Sequence, residues 1–80
     1  MSQQQSGVKL PLLKRGMGMP PKPSDINVRL LQQRLGVSAD GRFGKDTEAA
    51  VKRFQQLHSP LQVDGIVGPK TWAVLLTVTT

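Results

Sequence analysis

The chain has 80 residues and a formal net charge of +6, with a single histidine and no cysteine. A chain of this length forms one small domain at most, and without cysteine it has neither a disulfide framework nor thiolate chemistry. A zinc site is not expected from a lone imidazole, His58, and no apolar run is long enough to span a bilayer. The sequence therefore predicts a small domain with no metal and no cofactor.

The first 12 residues are predicted to form a flexible, basic leader. Gln, Ser and Gly dominate its first part, and no basic region is followed by an apolar core, so no signal peptide is predicted. Residues 1–23 hold four bases and no acid, whereas residues 24–80 hold seven bases and five acids. The domain itself is therefore only mildly basic, which favours a weak, salt-sensitive attraction to polyanions.

Residues 14–23 contain three prolines and two glycines, which predicts an extended loop rather than a helix. The first helix is expected to begin at an N-cap, Ser24 or Asp25, and to end at Leu35 before Gly36. Its core face is predicted to hold Val28, Leu31 and Leu35, with Leu30 as a satellite contact.

The second helix is expected from just after Gly44 to about Leu57, ended by Ser59-Pro60. Its predicted inner face is Thr47, Ala50, Val51, Phe54 and Leu57, and an outer Glu48–Lys52 pair should add about 0.3–0.5 kcal/mol. Leu61 and Val63 are predicted to alternate inward. The third helix is expected over residues 69–76, burying Trp72 or Leu75, with residues 77–80 as a frayed tail.

One ten-residue motif occurs twice: residues 40–49 and 64–73 both follow the pattern Asp-Gly-x-apolar-Gly-x-x-Thr-x-Ala, 24 residues apart. Asp-Gly is a turn pair, because the carboxylate accepts backbone N–H bonds and glycine adopts positive φ. Two such short units must pack together to bury their apolar faces. The predicted fold is all-α: a three-helix bundle over residues 13–76 with short extended bridges at the two turns.

Catalysis is not expected from this chain. Asp40 and Asp64 occupy matching turn positions, which favours a structural role over a general acid paired with a base. His58 is interpreted as a solvated residue at a helix end, and no nucleophile has a base arranged beside it in sequence. The sequence therefore predicts a protein that is not an enzyme.

Three segments carry a resemblance to a known family: Val28-x-x-Leu31-Gln32-x-x-Leu35, then Asp40-Gly41-x-Phe43-Gly44-x-x-Thr47-x-x-Ala50-Val51-x-x-Phe54-Gln55, then Asp64-Gly65-x-Val67-Gly68-x-x-Thr71-Trp72-x-x-Leu75. The pattern resembles the peptidoglycan-binding domain family, type 1. The resemblance implies a compact three-helix, non-catalytic module that anchors wall hydrolases, amidases and lysins to bacterial peptidoglycan. Two loops depart from the family: a Pro-rich insertion between Gly16 and Val28, and a longer connection at Ser59-Pro60-Leu61.

A shallow groove at the first repeat and the end of the first helix is the predicted binding site. There Arg34, Arg42 and Lys45 would meet stem-peptide carboxylates, while Asp40 and Thr47 would hold the turn and offer polar contacts. Trp72 has two interpretations, stacking on a sugar or acetyl group and packing in the core. The expected partners are the glycan strand and stem peptide, with a carrier protein, hydrolase, phage or injection apparatus docking through the leader.

Such a module would act at the cell wall, in the periplasm or outside the cell, by an export route that the sequence leaves open. One alternative is a small basic nucleic-acid-binding helical protein, which the acids Asp46 and Glu48 on the second helix argue against. Another is an inhibitory pro-segment, because the fold also resembles the front of matrix metalloprotease precursors. That role requires a cysteine switch, and the chain has no cysteine.

Overall fold

A computed structural model of the protein describes residues 10–78, apart from the side chain of Val78. Within these residues the chain forms three helices, α1 (Ile26–Leu35), α2 (Lys45–Leu57) and α3 (Pro69–Val78). Helix α1 contacts both α2 and α3. The predicted all-α, three-helix fold is confirmed. No helix in the described part of the chain is long and apolar enough to cross a membrane.

Local capping interactions set the ends of α1 as predicted. The Asp25 carboxylate accepts hydrogen bonds from the backbone N–H groups of Asn27 and Val28, which satisfies donors that the first helical turn leaves unpaired. At the other end Gly36 adopts the left-handed conformation and its N–H bonds back to the helix. Val28 and Leu31 are buried, and Leu30 and Leu35 pack against the core from its edge.

Helix α2 has the predicted bounds, but the prediction for its inner face is partly wrong. Leu57 is 72% exposed, because the buried face of α2 is narrower and turns through Thr47, Val51 and Gln55. Glu48 forms its ion pair with Arg15 of the loop before α1, at 3.4 Å, and not with the expected partner Lys52.

Two further expectations around the end of α2 are wrong in part, although His58 does lie at the helix end. Val63 is 46% exposed, so it does not alternate into the core. His58 is half-buried rather than solvated: its ring stacks on Phe54 with centroids 4.1 Å apart, and Nδ1 lies 2.8 Å from the Phe54 carbonyl oxygen. Because a carbonyl oxygen only accepts, Nδ1 carries the proton. His58 therefore acts as the cap of α2.

Helix α3 extends to Val78, two residues past the predicted end, and buries both Trp72 and Leu75. Thr79 and Thr80 of the predicted tail, and residues 1–9 of the predicted leader, lie outside the described residues. The remaining leader residues contact the domain: Leu10 packs against the core, and the Pro11 carbonyl accepts the Trp72 indole N–H at 2.9 Å. Packing thus begins before Leu13.

The loop before α1 joins the two repeats. Leu13 and Val67 exchange two backbone hydrogen bonds. The Gly16 N–H donates to the Phe43 carbonyl, and the Phe43 N–H donates to the Met17 carbonyl. Phe43 and Val67, the apolar residues of the two copies of the motif, are both fully buried. These are the predicted extended bridges, and the loop holds both of them against one core. The core consists of Leu13, Val28, Leu31, Phe43, Val51, Val67, Trp72 and Leu75.

Candidate functional site

A buried glutamine organises the first Asp-Gly turn. Gln32 is 1% exposed, and its Nε2 group lies 2.9 Å from Asp40 Oδ1, 3.0 Å from the Arg42 carbonyl oxygen and 3.0 Å from Thr47 Oγ1. Its Oε1 atom accepts the Gly41 N–H at 2.8 Å. The three acceptors share two amide hydrogens, so this one side chain holds both sides of the turn and the start of α2.

The second turn repeats this arrangement with Gln55. Its Nε2 group contacts Asp64, the Ile66 carbonyl and Thr71, and its Oε1 atom accepts the N–H groups of Asp64 and Gly65. Gln55 precedes its aspartate by nine positions and Gln32 by eight, which places the extra loop residue within the second unit. The structural repeat therefore begins with a glutamine on the preceding helix.

Sequence reasoning missed both glutamines, because glutamine in an amphipathic helix is usually assigned to the solvent face. A signal was available in the apolar-Gln pairs Leu31-Gln32 and Phe54-Gln55, which place an amide beside the core face at matching positions. A buried amide must find partners, and the two turns supply them.

A groove lies at each of the two Asp-Gly turns. We call the one at the first repeat the first groove and the one at the second repeat the second groove. The first groove has a volume of about 350 Å³ and the second about 650 Å³. The first groove is lined by Met19, Gln32, Val37, Ser38, Asp40, Arg42, Gly44, Lys45, Asp46 and Thr47. The second groove is lined by Leu12, Pro60, Leu61, Gln62, Asp64, Ile66, Gly68, Pro69, Lys70 and Thr71.

Four of the six residues predicted for the site come together in the first groove: Asp40, Arg42, Lys45 and Thr47. Arg34 is half-buried in the last turn of α1 and does not line the groove. Trp72 is 3% exposed and its indole N–H is bonded to Pro11. Of its two interpretations, the structure matches the core one, because a ring this deeply buried has no face open to a sugar.

The polar groups of the first groove divide into those that hold the turn and those that face solvent. Thr47 is buried, accepts a hydrogen bond from Gln32 and donates its hydroxyl hydrogen to the Arg42 carbonyl, so its hydroxyl serves to hold the turn. Asp40 accepts the Arg42 N–H at 2.9 Å as well as the Gln32 amide. The exposed polar side chains that a ligand would meet are the cations Arg42 and Lys45, together with Ser38 and Asp46.

Hydrogen bonding keeps the Asp40 carboxylate charged. The Arg42 backbone N–H and then the Gln32 amide lower the pKa of Asp40 below its ordinary value of 3.8, since both donors favour the ionised form. The charged carboxylate therefore accepts the hydrogen bonds that hold the turn. No group of three or more His, Asp and Glu side chains that could hold a metal occurs among residues 10–78.

Asp40→Asn is expected to flatten the acid side of the stability profile. A lowered folded pKa stabilises the fold above the unfolded pKa, and this contribution is lost as the pH falls through the folded value. Melting temperatures measured between about pH 5 and pH 2 should therefore fall less in Asp40→Asn than in the parent chain. Asp46→Asn removes a carboxylate of the same groove and is the control. Equal acid slopes in the parent and Asp40→Asn would contradict this role.

Comparison with known proteins supplies the family. The model of the peptidoglycan binding domain matches residues 24–75, which is more than half of the chain. The chain is also 54% identical over 41 residues to an uncharacterized protein in the bpoA1 3′ region of Kitasatospora aureofaciens. That match covers 51% of this chain and only 34% of the relative, so the chain spans about a third of its length. No solved structure matches significantly.

The matched region includes all of α1 and α2, both glutamine-held turns and most of α3. The resemblance drawn from the repeated motif is confirmed: this chain belongs to the peptidoglycan-binding domain family.

Proposed function

We propose that this chain is a non-catalytic module that attaches to cell-wall peptidoglycan through the first groove. The observation that carries the proposal is the gathering of two exposed cations, Arg42 and Lys45, beside a turn that Gln32 holds in place. A turn whose backbone is already held in place loses little conformational entropy when a ligand binds beside it, so this groove is suited to recognition.

The chemistry of the polymer matches these groups. Stem peptides offer free carboxylates, which would accept charge-assisted hydrogen bonds from the guanidinium of Arg42 and the ammonium of Lys45. Val37 and Met19 supply an apolar wall in the same groove for acetyl and methyl groups. Arg34 and Trp72, which do not line the groove, are left out of the proposed contact set.

The family relationship supports association with the cell wall, which is where the module would act. Anchoring of a carrier through the leader stays a prediction, because residues 1–9 lie outside the described part. The nucleic-acid alternative gains no support, since the first turn of α2 carries the acids Asp46 and Glu48 beside the groove's cations.

Arg42→Ala is expected to lower retention on purified sacculi about tenfold or more, because a hydrogen bond to a charged group contributes roughly 1.5–3 kcal/mol. The Arg42 side chain is exposed and the turn uses only its backbone, so the melting temperature should not change. Co-sedimentation with sacculi at physiological salt measures the effect.

Arg53→Ala is the matched control, because Arg53 is an exposed cation on α2 that lines neither groove. It should be retained like the parent chain. Equal losses in both variants would indicate general charge attraction, and unchanged retention of Arg42→Ala would remove the first groove from the proposed site.

A further inference from the structure

The internal repeat builds the second groove from positions equivalent to those of the first. The lining of each groove includes the aspartate of a glutamine-held turn and the buried threonine of the next helix. The equivalent pairs are Asp40 and Asp64, Arg42 and Ile66, Gly44 and Gly68, Lys45 and Pro69, Asp46 and Lys70, and Thr47 and Thr71. The second groove is therefore a built feature of the fold and the larger of the two.

The side chains that face the second groove are of a different kind. Ile66 and Pro69 stand where the first groove has its two cations, and Leu12 and Leu61 extend this apolar wall. Leu12 is 52% exposed and Ile66 is 36% exposed, so the wall is not covered by the chain's own described residues. Ligand-binding clefts are commonly lined by apolar side chains together with a few polar groups.

Two polar side chains border this wall. Lys70 is exposed and forms no ion pair among the described residues, so its ammonium is available to an anion. Gln62 is also exposed at the rim. Asp64 is tied to the turn by Gln55 and the Ile66 N–H. The groove thus offers an apolar surface, an amide and the Lys70 ammonium.

We propose that the second groove binds a stem peptide, so that the domain carries two subsites for peptidoglycan. The methyl side chains of the peptide lie against Leu12, Ile66 and Pro69, and its terminal carboxylate pairs with Lys70. The Gln62 amide bonds to the peptide groups. This inference rests on the proposed function, and it assigns a ligand to the second repeat.

One segment of chain joins the two subsites. Leu12 lines the second groove and Met19 the first, and seven residues span at most about 25 Å. The segment is bonded to both bridges, at Val67 and at Phe43, which fixes the spacing. A cross-linked polymer presents many stem peptides, so binding at one groove raises the effective concentration at the other.

Ile66→Glu and Lys70→Ala, made separately in the full chain, test the second subsite. Neither side chain takes part in holding the turn, where Ile66 serves through its backbone. Each variant is expected to lower retention on sacculi about tenfold or more, because the gain from simultaneous binding is lost. Leu57→Glu places the same charge on an exposed apolar residue outside both grooves and should be retained like the parent chain.

The second measurement uses a soluble muramyl pentapeptide with a free terminal carboxylate, followed by amide chemical shifts. The shifts of Ile66 and Lys70 should respond in the parent chain, and those of Arg42 and Lys45 should respond equally in the parent and in Ile66→Glu. A terminal amide in place of the carboxylate should weaken the response at Lys70. An equal response to the amide, or a response of the second groove to glycan without peptide, would overturn the assignment.

The outcomes separate this inference from the proposed function. If Ile66→Glu and Lys70→Ala are retained like the parent while Arg42→Ala is lost, the second subsite is wrong and the function stands. If the parent chain itself is not retained on sacculi, the proposed function fails, and the second subsite fails with it.

Discussion

Gly18→Ala is expected to lower the melting temperature by at least about 8 °C, since its two costs together reach about 2 kcal/mol or more and each kcal/mol shifts a domain of this size by about 4–8 °C. Gly18 has φ +72°, which costs other residues about 1–2 kcal/mol. An alanine Cβ would also overlap the Gly41 carbonyl oxygen and lie 3.0 Å from the Asp25 nitrogen. Because both neighbours are backbone atoms, the overlap adds about 1–3 kcal/mol or more.

Gly36→Ala is the matched control for this prediction. Gly36 has nearly the same φ, +75°, but nothing lies within 4 Å of the place that an added Cβ would take. It should therefore lose only the conformational share, about 1–2 kcal/mol. Thermal unfolding followed by circular dichroism measures both variants. Equal losses would show that the close approach of the loop to the first turn contributes nothing.

Gln32→Leu is expected to destabilise the domain by about 2–4 kcal/mol and to lower retention on sacculi. The substitution keeps the volume but leaves the buried Gly41 N–H without its acceptor, and it removes one of the two donors to the Arg42 carbonyl. An unsatisfied buried polar group costs about 1–3 kcal/mol. Because Gln32 holds the turn that carries Arg42, the binding should fall even under conditions where the domain remains folded.

Gln33→Leu tests whether the effect belongs to the buried amide. Gln33 is the next residue of α1 and is exposed, so the same change there should alter stability by no more than about 0.5 kcal/mol. Urea unfolding gives the free energies, and co-sedimentation well below each midpoint of thermal unfolding gives the retention. A Gln32→Leu variant as stable as Gln33→Leu would contradict the role of Gln32.

Helix positions could be predicted because their signals are local. Asp25 and Gly36 mark the ends of α1, and Gly44 marks the start of α2, through bonds that span only a few residues. The apolar residues of the repeated motif, Phe43 and Val67, could be assigned to the core because each lies between an Asp-Gly turn and the start of a helix. Both are fully buried.

The errors fall where a distant partner decides the environment. Leu57 and Val63 match an amphipathic pattern but lie where no other described element covers them. Glu48 has a suitable partner one turn away, yet it pairs with Arg15 from the loop before α1. Periodicity gives the direction of a side chain relative to its own helix, but it does not say which directions meet the rest of the domain.

The repeated Asp-Gly motif by itself determined that the chain folds as two related units. Together with the spacing of the apolar residues, this motif also determined the family. Tertiary structure alone decided what holds the two turns and what each offers a ligand. Gln32 and Gln55 become buried only when a turn eight or nine positions away brings its amide and carbonyl groups to them. Trp72 is buried in the core, and its indole N–H finds its acceptor in the Pro11 carbonyl, 61 positions away in sequence. Such contacts form only when the fold brings separate segments of the chain together, and the residues of one segment do not specify which other segment it will meet.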